Sequence, residues 1–122
     1  MVALDGSEAA EEVLRYTRTL AQTFNSEILL LSVPEVNAEH STLEQYLQSV
    51  SSALGETGYP VKVLVTGSGA VRSILDICAS EQADLIMMTT HGRGTLEREA
   101  TIGSAADRVI DAANCPVFLV PI

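Results

Sequence analysis

The chain has 122 residues, 47% of them hydrophobic and 19% charged, and its formal net charge at pH 7 is −9. These values fit one globular domain over residues 1–122 rather than a disordered chain, and the negative charge argues against general nucleic-acid binding because a phosphate backbone would be repelled. The longest apolar run, Ile28 to Leu31, is too short to cross a bilayer and the start shows no signal-peptide pattern, so we expect a soluble cytoplasmic protein.

A strand and a helix are predicted before residue 26. The short apolar run Val2-Ala3-Leu4 predicts the first strand, and the turn Asp5-Gly6-Ser7 closes it. Ser7 is placed to cap the helix that follows. Apolar residues then recur with the period of a helix from Ala10 to Phe24, and Asn25 ends this pattern.

Four further apolar runs follow, and a helical pattern precedes each of the last three. The second strand is predicted at Ile28 to Val33, where only Ser32 interrupts the apolar run, and a loop at 35–41 leads to a helix that ends near Gly55. The remaining predicted elements are a strand at Val61 to Val65, a helix with apolar residues from Val71 to Cys78 after Gly67-Ser68-Gly69, a strand at Leu85 to Met88, a helix with apolar residues from Ala105 to Ala113, and a strand at Val117 to Val120.

Regular alternation of strands and helices with short connections predicts a parallel sheet covered on both faces, which is a doubly wound α/β domain. Ligands of such sheets bind beyond the carboxyl ends of the strands, where the winding reverses direction. If strand 1 is central and strand 4 is its neighbour, Asp5-Gly6-Ser7 and the loop Thr89 to Gly94 face each other across the crevice.

The loop Thr89-Thr90-His91-Gly92-Arg93-Gly94 follows strand 4, and Gly103-Ser104 stands where the last helix begins. Glycines let the backbone approach an anion closely, and the free N–H groups of a first helical turn point at it, so this pattern predicts a phosphate site. The residues alone leave alternatives open. The glycine loop also fits a plain turn, Asp5-Gly6-Ser7 fits a turn with an N-cap, His91 fits an exposed loop residue and Arg93 fits a solvated charge.

Spacing argues against several commoner sites. No Gly-Lys pair is present for a P-loop, and Glu97 occupies the third glycine position of a dinucleotide fingerprint. The two His and two Cys, at 40, 78, 91 and 115, lack the spacing of metal ligands, and no serine lies in a nucleophile elbow. Cys78 and Cys115 are predicted to be buried reduced thiols, with a disulfide or redox pair as the alternative.

Taken together, these motifs resemble the universal stress protein family. Its domains open with a strand ending in Asp-Gly-Ser or similar, as Leu4-Asp5-Gly6-Ser7 does, and carry a Gly-Thr/Ser-His-Gly-Arg loop after strand 4, followed by Gly-Ser. They often close with Cys-Pro-Val before an apolar strand, as Cys115-Pro116-Val117 does here. The resemblance covers essentially the whole chain. It implies an adenine nucleotide alpha hydrolase-like fold, with a five-stranded parallel sheet of order 3-2-1-4-5 and helices on both faces.

The resemblance also implies an adenine nucleotide, ATP or AMP, as the ligand, with Mg or Mn arriving on its phosphates. Asp5 matches the acidic residue that contacts the nucleoside, and Val33 matches an adenine-pocket position. Gly92 matches the second glycine of the phosphate loop, and Gly103-Ser104 match the final pair. The other residues assigned to the site are Ala3, Met88, Thr89, His91, Arg93 and Ala105.

The sequence departs from the family pattern at three points. Thr89 stands in place of the first glycine of the loop, and Ala3 stands where some nucleotide binders have proline. Ten residues, Arg93 to Ile102, separate Gly92 from Gly103 where the pattern has nine. Because the family includes members that bind ATP or AMP and members that do not, these departures bear directly on whether the site is occupied.

Two functions are therefore weighed. The first is an adenine-nucleotide-binding stress protein that acts as a sensor or switch, with at most slow ATP hydrolysis because no convincing general base is visible. The second is a dimeric interaction module without nucleotide, and a hydrolase or transferase on a similar scaffold ranks below both. A homodimer fits either leading function, since the last strand, Val117 to Ile122, is apolar and would lie at a sheet edge, where the resemblance implies antiparallel pairing across a two-fold axis.

Overall fold

The computed structural model describes residues 1–32, 40–55, 60–67, 69–90 and 104–122, with His40 described by its backbone only. Within these ranges strands and helices alternate in the predicted order. The elements are β1 (Val2–Leu4), α1 (Glu8–Glu11), α2 (Val13–Phe24), β2 (Ile28–Ser32), α3 (His40–Gly55), β3 (Val61–Val65), α4 (Ala70–Ser80), β4 (Ile86–Thr89), α5 (Ser104–Ala112) and β5 (Val117–Val120).

The five strands form one parallel sheet of order β3-β2-β1-β4-β5, which confirms the predicted topology. β1 is central and pairs through Val2 with Leu30 of β2 on one side and with Met87 of β4 on the other. Helices α1, α2 and α3 pack on one face of the sheet, whereas α4 and α5 pack on the other. Because the strands are parallel, the carboxyl ends of all five lie at the same edge of the sheet.

The strand β2 shows why the apolar pattern of this chain is continuous rather than alternating. Leu30 is fully buried in the cluster under α1, α2 and α3, and Leu31 is 1% exposed in the cluster under α4 and α5. Successive side chains of a strand point to opposite faces, so a sheet covered on both sides needs apolar residues at consecutive positions.

The first helix differs from its prediction because it is divided at Glu12. The backbone N–H of Glu12 donates to the carbonyl of Ala9, three residues back rather than four, at 3.3 Å, which is the tighter spacing of a 3₁₀ turn. The predicted ends of this region are confirmed. Ser7 is the N-cap, and Asn25 closes α2 in the left-handed conformation with φ of 52°.

Two other helix and strand boundaries differ from their predictions by one or a few residues. α3 begins at His40, so the end of the predicted loop at 35–41 is helical. This start was missed because polar first-turn residues carry no apolar period. β4 begins at Ile86 and includes Thr89, which pairs with Val120. Val33, predicted as the last residue of strand 2, lies outside the described residues.

The two cysteines are free thiols, as predicted, but they are buried to different extents. Cys78 on α4 is 8% exposed, whereas Cys115, between α5 and β5, is half-buried rather than buried. Their sulfur atoms lie 3.2 Å apart. Burial, followed by the hydrogen bond with Cys115, raises the pKa of Cys78 to about 11.

This raised pKa predicts an alkaline loss of stability. The folded chain keeps the Cys78 proton at pH values where an unfolded thiol, with its pKa of about 8.5, has already lost it. The contribution is fully present below about pH 8.5 and disappears as the pH rises towards 11. The loss is at most about 1.4 kcal/mol per pH unit.

Urea unfolding between pH 7 and 10.5 measures this loss of stability. A Cys78→Ala control measured in the same way cancels the titration of other groups. Parallel stability curves for the two proteins would contradict the assignment.

Candidate functional site

The carboxyl edge of the sheet brings the ends of β1 and β4 together. Val2 pairs with Met87 in parallel register, so Asp5 and Thr90, each three residues further along, follow these two neighbouring strands at the same level. Strand 1 is central and strand 4 is its neighbour, as the predicted crevice between their loops requires. The turn after β1 stands next to Thr90, which directly follows β4, at the edge where doubly wound sheets bind ligands.

The turn after β1 holds a carboxylate in a fixed orientation. Asp5 Oδ1 accepts hydrogen bonds from the backbone N–H of Ser7 at 2.8 Å and from Ser7 Oγ at 2.6 Å. Ser7 Oγ in turn accepts from the N–H of Ala10 at 3.1 Å, which caps α1. Gly6 has φ of 87°, a backbone conformation that strongly favours glycine. The turn is thus a structural cap and also a rigid mount for a half-buried acidic side chain.

At the end of β4 two threonines are buried, Thr89 at 6% and Thr90 at 8% exposure. The N–H of Thr90 donates to the carbonyl of Val120 at 3.0 Å, and Thr90 Oγ1 accepts from the N–H of Ile122 at 3.3 Å. The first departure from the family glycine loop, Thr89, is consequently a strand residue. A β-branched side chain is favoured there.

Ala3 and Met88 lie on the face of the sheet that α4 and α5 cover. Met88 is buried in the core cluster of that face, and the half-buried Ala3 packs against the same cluster. The structure therefore places Met88 among core residues rather than at an open crevice. Both residues nevertheless lie within two positions of the carboxyl ends of their strands.

The last helix begins at Ser104, which is exposed, and Ala105 behind it is half-buried. The first N–H groups of a helix have no partner inside the helix, so the start of α5 presents donors suited to an anion. Five predicted site residues lie outside the described residues. They are Val33, His91, Gly92, Arg93 and Gly103.

Two buried hydroxyls at the same edge were not predicted as site residues. Ser32, the last residue of β2, is fully buried, and the N–H of Thr66, just after β3, donates to its carbonyl at 3.1 Å. Neither Ser32 Oγ nor Thr66 Oγ1 has a hydrogen-bond partner among the described residues. A buried hydroxyl without a partner costs about 1–3 kcal/mol. The signal was available, because Ser32 alone interrupts the apolar run of its strand.

Over the parts of the chain that the structure describes, no three His, Cys, Asp or Glu side chains come together as a metal site. In the same parts, no helix is long and apolar enough to span a membrane. Among the described residues, this edge carries the oriented Asp5 carboxylate, the buried hydroxyls of Ser32 and Thr66 and the start of α5. Such a set suits a ligand that carries both hydroxyl groups and negative charge.

Comparison with known proteins points to one family. The model of the universal stress protein family matches residues 1–121. Universal stress protein MJ0531 of Methanocaldococcus jannaschii is 28% identical over 136 residues, covering 98% of this chain and 79% of that protein.

Two solved structures show the same fold. The first is that of MJ0577, a protein of the same organism, with a TM-score of 0.89 at 25% identity over 98% of this chain and 92% of that one. The second is a universal stress protein in complex with cAMP, with a TM-score of 0.80 at 16% identity over 98% of this chain and 93% of that one.

Proposed function

The chain belongs to the universal stress protein family, and we propose that it binds an adenine nucleotide, ATP or AMP, and acts as a sensor or switch in stress response. The observation that carries the proposal is the adjacency of β1 and β4, which sets the Asp5 turn beside Thr90 at the end of β4. The solved universal stress protein with cAMP supports it, since cAMP is an adenine nucleotide and that protein shares this fold.

Different described residues suit different parts of the proposed nucleotide. The Asp5 carboxylate is an acceptor only, so it suits the hydroxyl donors of a ribose. The exposed start of α5 at Ser104 suits the phosphates, because the first N–H groups of a helix have no partner within the helix and the helix dipole favours negative charge there. The buried hydroxyls of Ser32 and Thr66 are further polar groups at this edge. We propose that Gly92, Arg93 and Gly103 complete the phosphate contacts and that His91 and Val33 contribute to the nucleoside side.

We propose binding without efficient turnover. Asp5 already accepts two hydrogen bonds on Oδ1 from Ser7, which suits holding a ligand better than moving a proton. Magnesium or manganese would accompany the nucleotide on its phosphates and supply charge neutralisation there. The chain's own part is to hold and orient the nucleoside.

The test is to denature freshly purified protein and analyse the supernatant for adenine nucleotides by mass spectrometry, followed by calorimetry of the stripped protein with ATP, AMP and cAMP. We expect released ATP or AMP, or saturable binding in the micromolar range, with GTP as the control that lacks the adenine base. A clean supernatant together with no heat at millimolar ATP would contradict the proposal and favour the nucleotide-free interaction module.

A homodimer through the last strand is proposed on the topology. β5 is an edge strand, and the carbonyls of Pro116 and Val120 accept from the N–H groups of Ile86 and Thr90 on the β4 side. Backbone groups alternate in direction along a strand, so those of Val117 and Leu119 point away from the sheet and are available to a second copy.

Light scattering at micromolar concentration is expected to give twice the mass of the chain. Leu119→Pro, which removes one outward donor, should give a monomer. Circular dichroism checks that this variant folds. A monomeric mass for the unaltered protein would refute the dimer.

A further inference from the structure

The cysteine pair lies far from the proposed nucleotide site. Cys78 belongs to the second half of α4, and Cys115 precedes β5, whose first hydrogen bond to the sheet runs from the N–H of Ile86 to the carbonyl of Pro116 at 3.0 Å. Both thiols therefore stand near the amino ends of the strands, whereas the nucleotide is proposed at the carboxyl ends. The pair has no part in the function proposed above.

The two sulfur atoms are already in contact. Sγ of Cys78 and Sγ of Cys115 lie 3.2 Å apart, and a disulfide bond is about 2.05 Å long, so bonding needs an approach of only about 1.2 Å. Cys78 is part of the core cluster under α4 and α5, and Cys115 packs against that cluster. The contact thus joins two segments that are 37 positions apart in sequence and that both have defined places in the fold.

We propose that Cys78 and Cys115 are a redox modification site that closes to a reversible intramolecular disulfide on reaction with a low-molecular-weight disulfide of the glutathione type. The more accessible thiol, Cys115, reacts first, because Cys78 is 8% exposed. The position of Cys78 directly against Cys115 makes it the resolving thiol.

The chemistry balances in two exchange steps. The Cys115 thiolate attacks one sulfur of the oxidant, the oxidant's S–S bond breaks, and one thiolate leaves while a mixed disulfide forms on Cys115. Cys78, after losing its proton, then attacks Cys115 Sγ and releases the second thiolate. The two protein thiols lose two electrons and two protons, and the oxidant becomes two thiols.

Both steps need a thiolate, and the environment of Cys78 makes the second step the slower one at neutral pH. Burial, followed by the hydrogen bond with Cys115, raises the pKa of Cys78 to about 11, while the Met1 ammonium acts in the opposite direction. Only a small fraction of Cys78 is therefore thiolate at neutral pH. This fraction grows about tenfold per pH unit below the pKa, and the rate of ring closure should grow with it. Between pH 8 and 9 a surface thiol with an ordinary pKa of about 8.5 is already largely ionised, so a tenfold gain over that unit distinguishes ring closure from oxidation of a surface thiol.

The experiment uses the unaltered full chain, reduced and then exposed to excess oxidised glutathione at pH 7, 8 and 9. Alkylation with mass spectrometry should show both thiols lost together, with a Cys78–Cys115 cross-linked peptide and no mass increase from glutathione at the end point. Closure should accelerate about tenfold per pH unit, and dithiothreitol should restore both thiols. The melting temperature of the oxidised protein should rise by about 5–10 °C because the cross-link constrains the unfolded chain.

Two variants separate the steps. Cys78→Ala should stop at a stable mixed disulfide on Cys115, and Cys115→Ser should remain largely unreacted. Retention of both thiols in the unaltered protein, a persistent glutathione adduct on it, or disulfide-linked dimers would each overturn the proposal. These three outcomes are measured on the unaltered chain, so they test the proposal even if Cys78→Ala fails to fold. Nucleotide binding does not enter any readout, and the two proposals therefore fail separately.

Discussion

Replacement of Gly103 by valine is expected to abolish adenine-nucleotide binding, with a loss of affinity of at least about 100-fold, while the fold remains intact. Residue 103 directly precedes α5, whose exposed first residue is Ser104. A glycine before a helix start allows a phosphate to approach the backbone N–H groups, and a β-branched side chain in its place blocks that approach. A 100-fold loss corresponds to about 2.7 kcal/mol of binding free energy. Calorimetry with ATP on the stripped protein measures it.

The matched control is Gly55→Val, the same chemical change at the end of α3. A Cβ added at Gly55 meets no atom of the described residues within 4 Å, so this variant should bind as the unaltered protein does and should unfold at a similar temperature. Unchanged affinity in Gly103→Val would show that the phosphate site lies elsewhere. Equal losses in both variants would indicate a general effect of valine rather than a local block.

Leu30→Ala is expected to lower the free energy of unfolding by about 3 kcal/mol and the melting temperature by about 10 °C. Leu30 is fully buried in the central part of the sheet, in the cluster under α1, α2 and α3. Its truncation removes the transfer free energy of three carbon atoms and leaves a cavity that a β-sheet cannot close by a small shift. Because domains of this size are stable by only about 5–15 kcal/mol, the loss is a large share of the total. Urea unfolding followed by circular dichroism gives the value.

The neighbouring residue provides the control for this effect. Leu29 is half-buried, so Leu29→Ala in the same strand should cost clearly less, about 1 kcal/mol by its smaller buried area. Both variants change leucine to alanine in β2, so strand propensity cancels in the comparison. Equal losses at the two positions would contradict the complete enclosure of Leu30.

The elements were predictable because each depends on local chemistry. Ser7 caps α1 and Asn25 closes α2 as predicted, since a hydroxyl acceptor and a residue tolerant of positive φ suit those positions wherever the helix packs. The two wrong helix boundaries also have local causes. The break at Glu12 leaves no mark in the apolar period, and the polar first turn of α3 has none to show.

The site was predictable only in part, because its residues meet through strand pairing. Asp5 and the segment after β4 were predicted as a pair from the doubly wound pattern and from the family motifs. The buried hydroxyls of Ser32 and Thr66, which have no partner among the described residues, were not predicted, since single hydroxyls in or after a strand are common and only burial makes them costly. The contact between Cys78 and Cys115 was likewise left among alternatives, because spacing along the chain does not determine distance in space.

The sequence by itself determined the class of fold, its strand order through the family motifs, and the edge at which a ligand is expected. These follow from apolar periodicity, from glycine and cap chemistry, and from the rules of parallel sheets. Only the tertiary structure decided which polar groups lack partners and which thiols touch. Burial and through-space distance depend on residues remote in sequence, as the 3.2 Å contact between Cys78 and Cys115 shows.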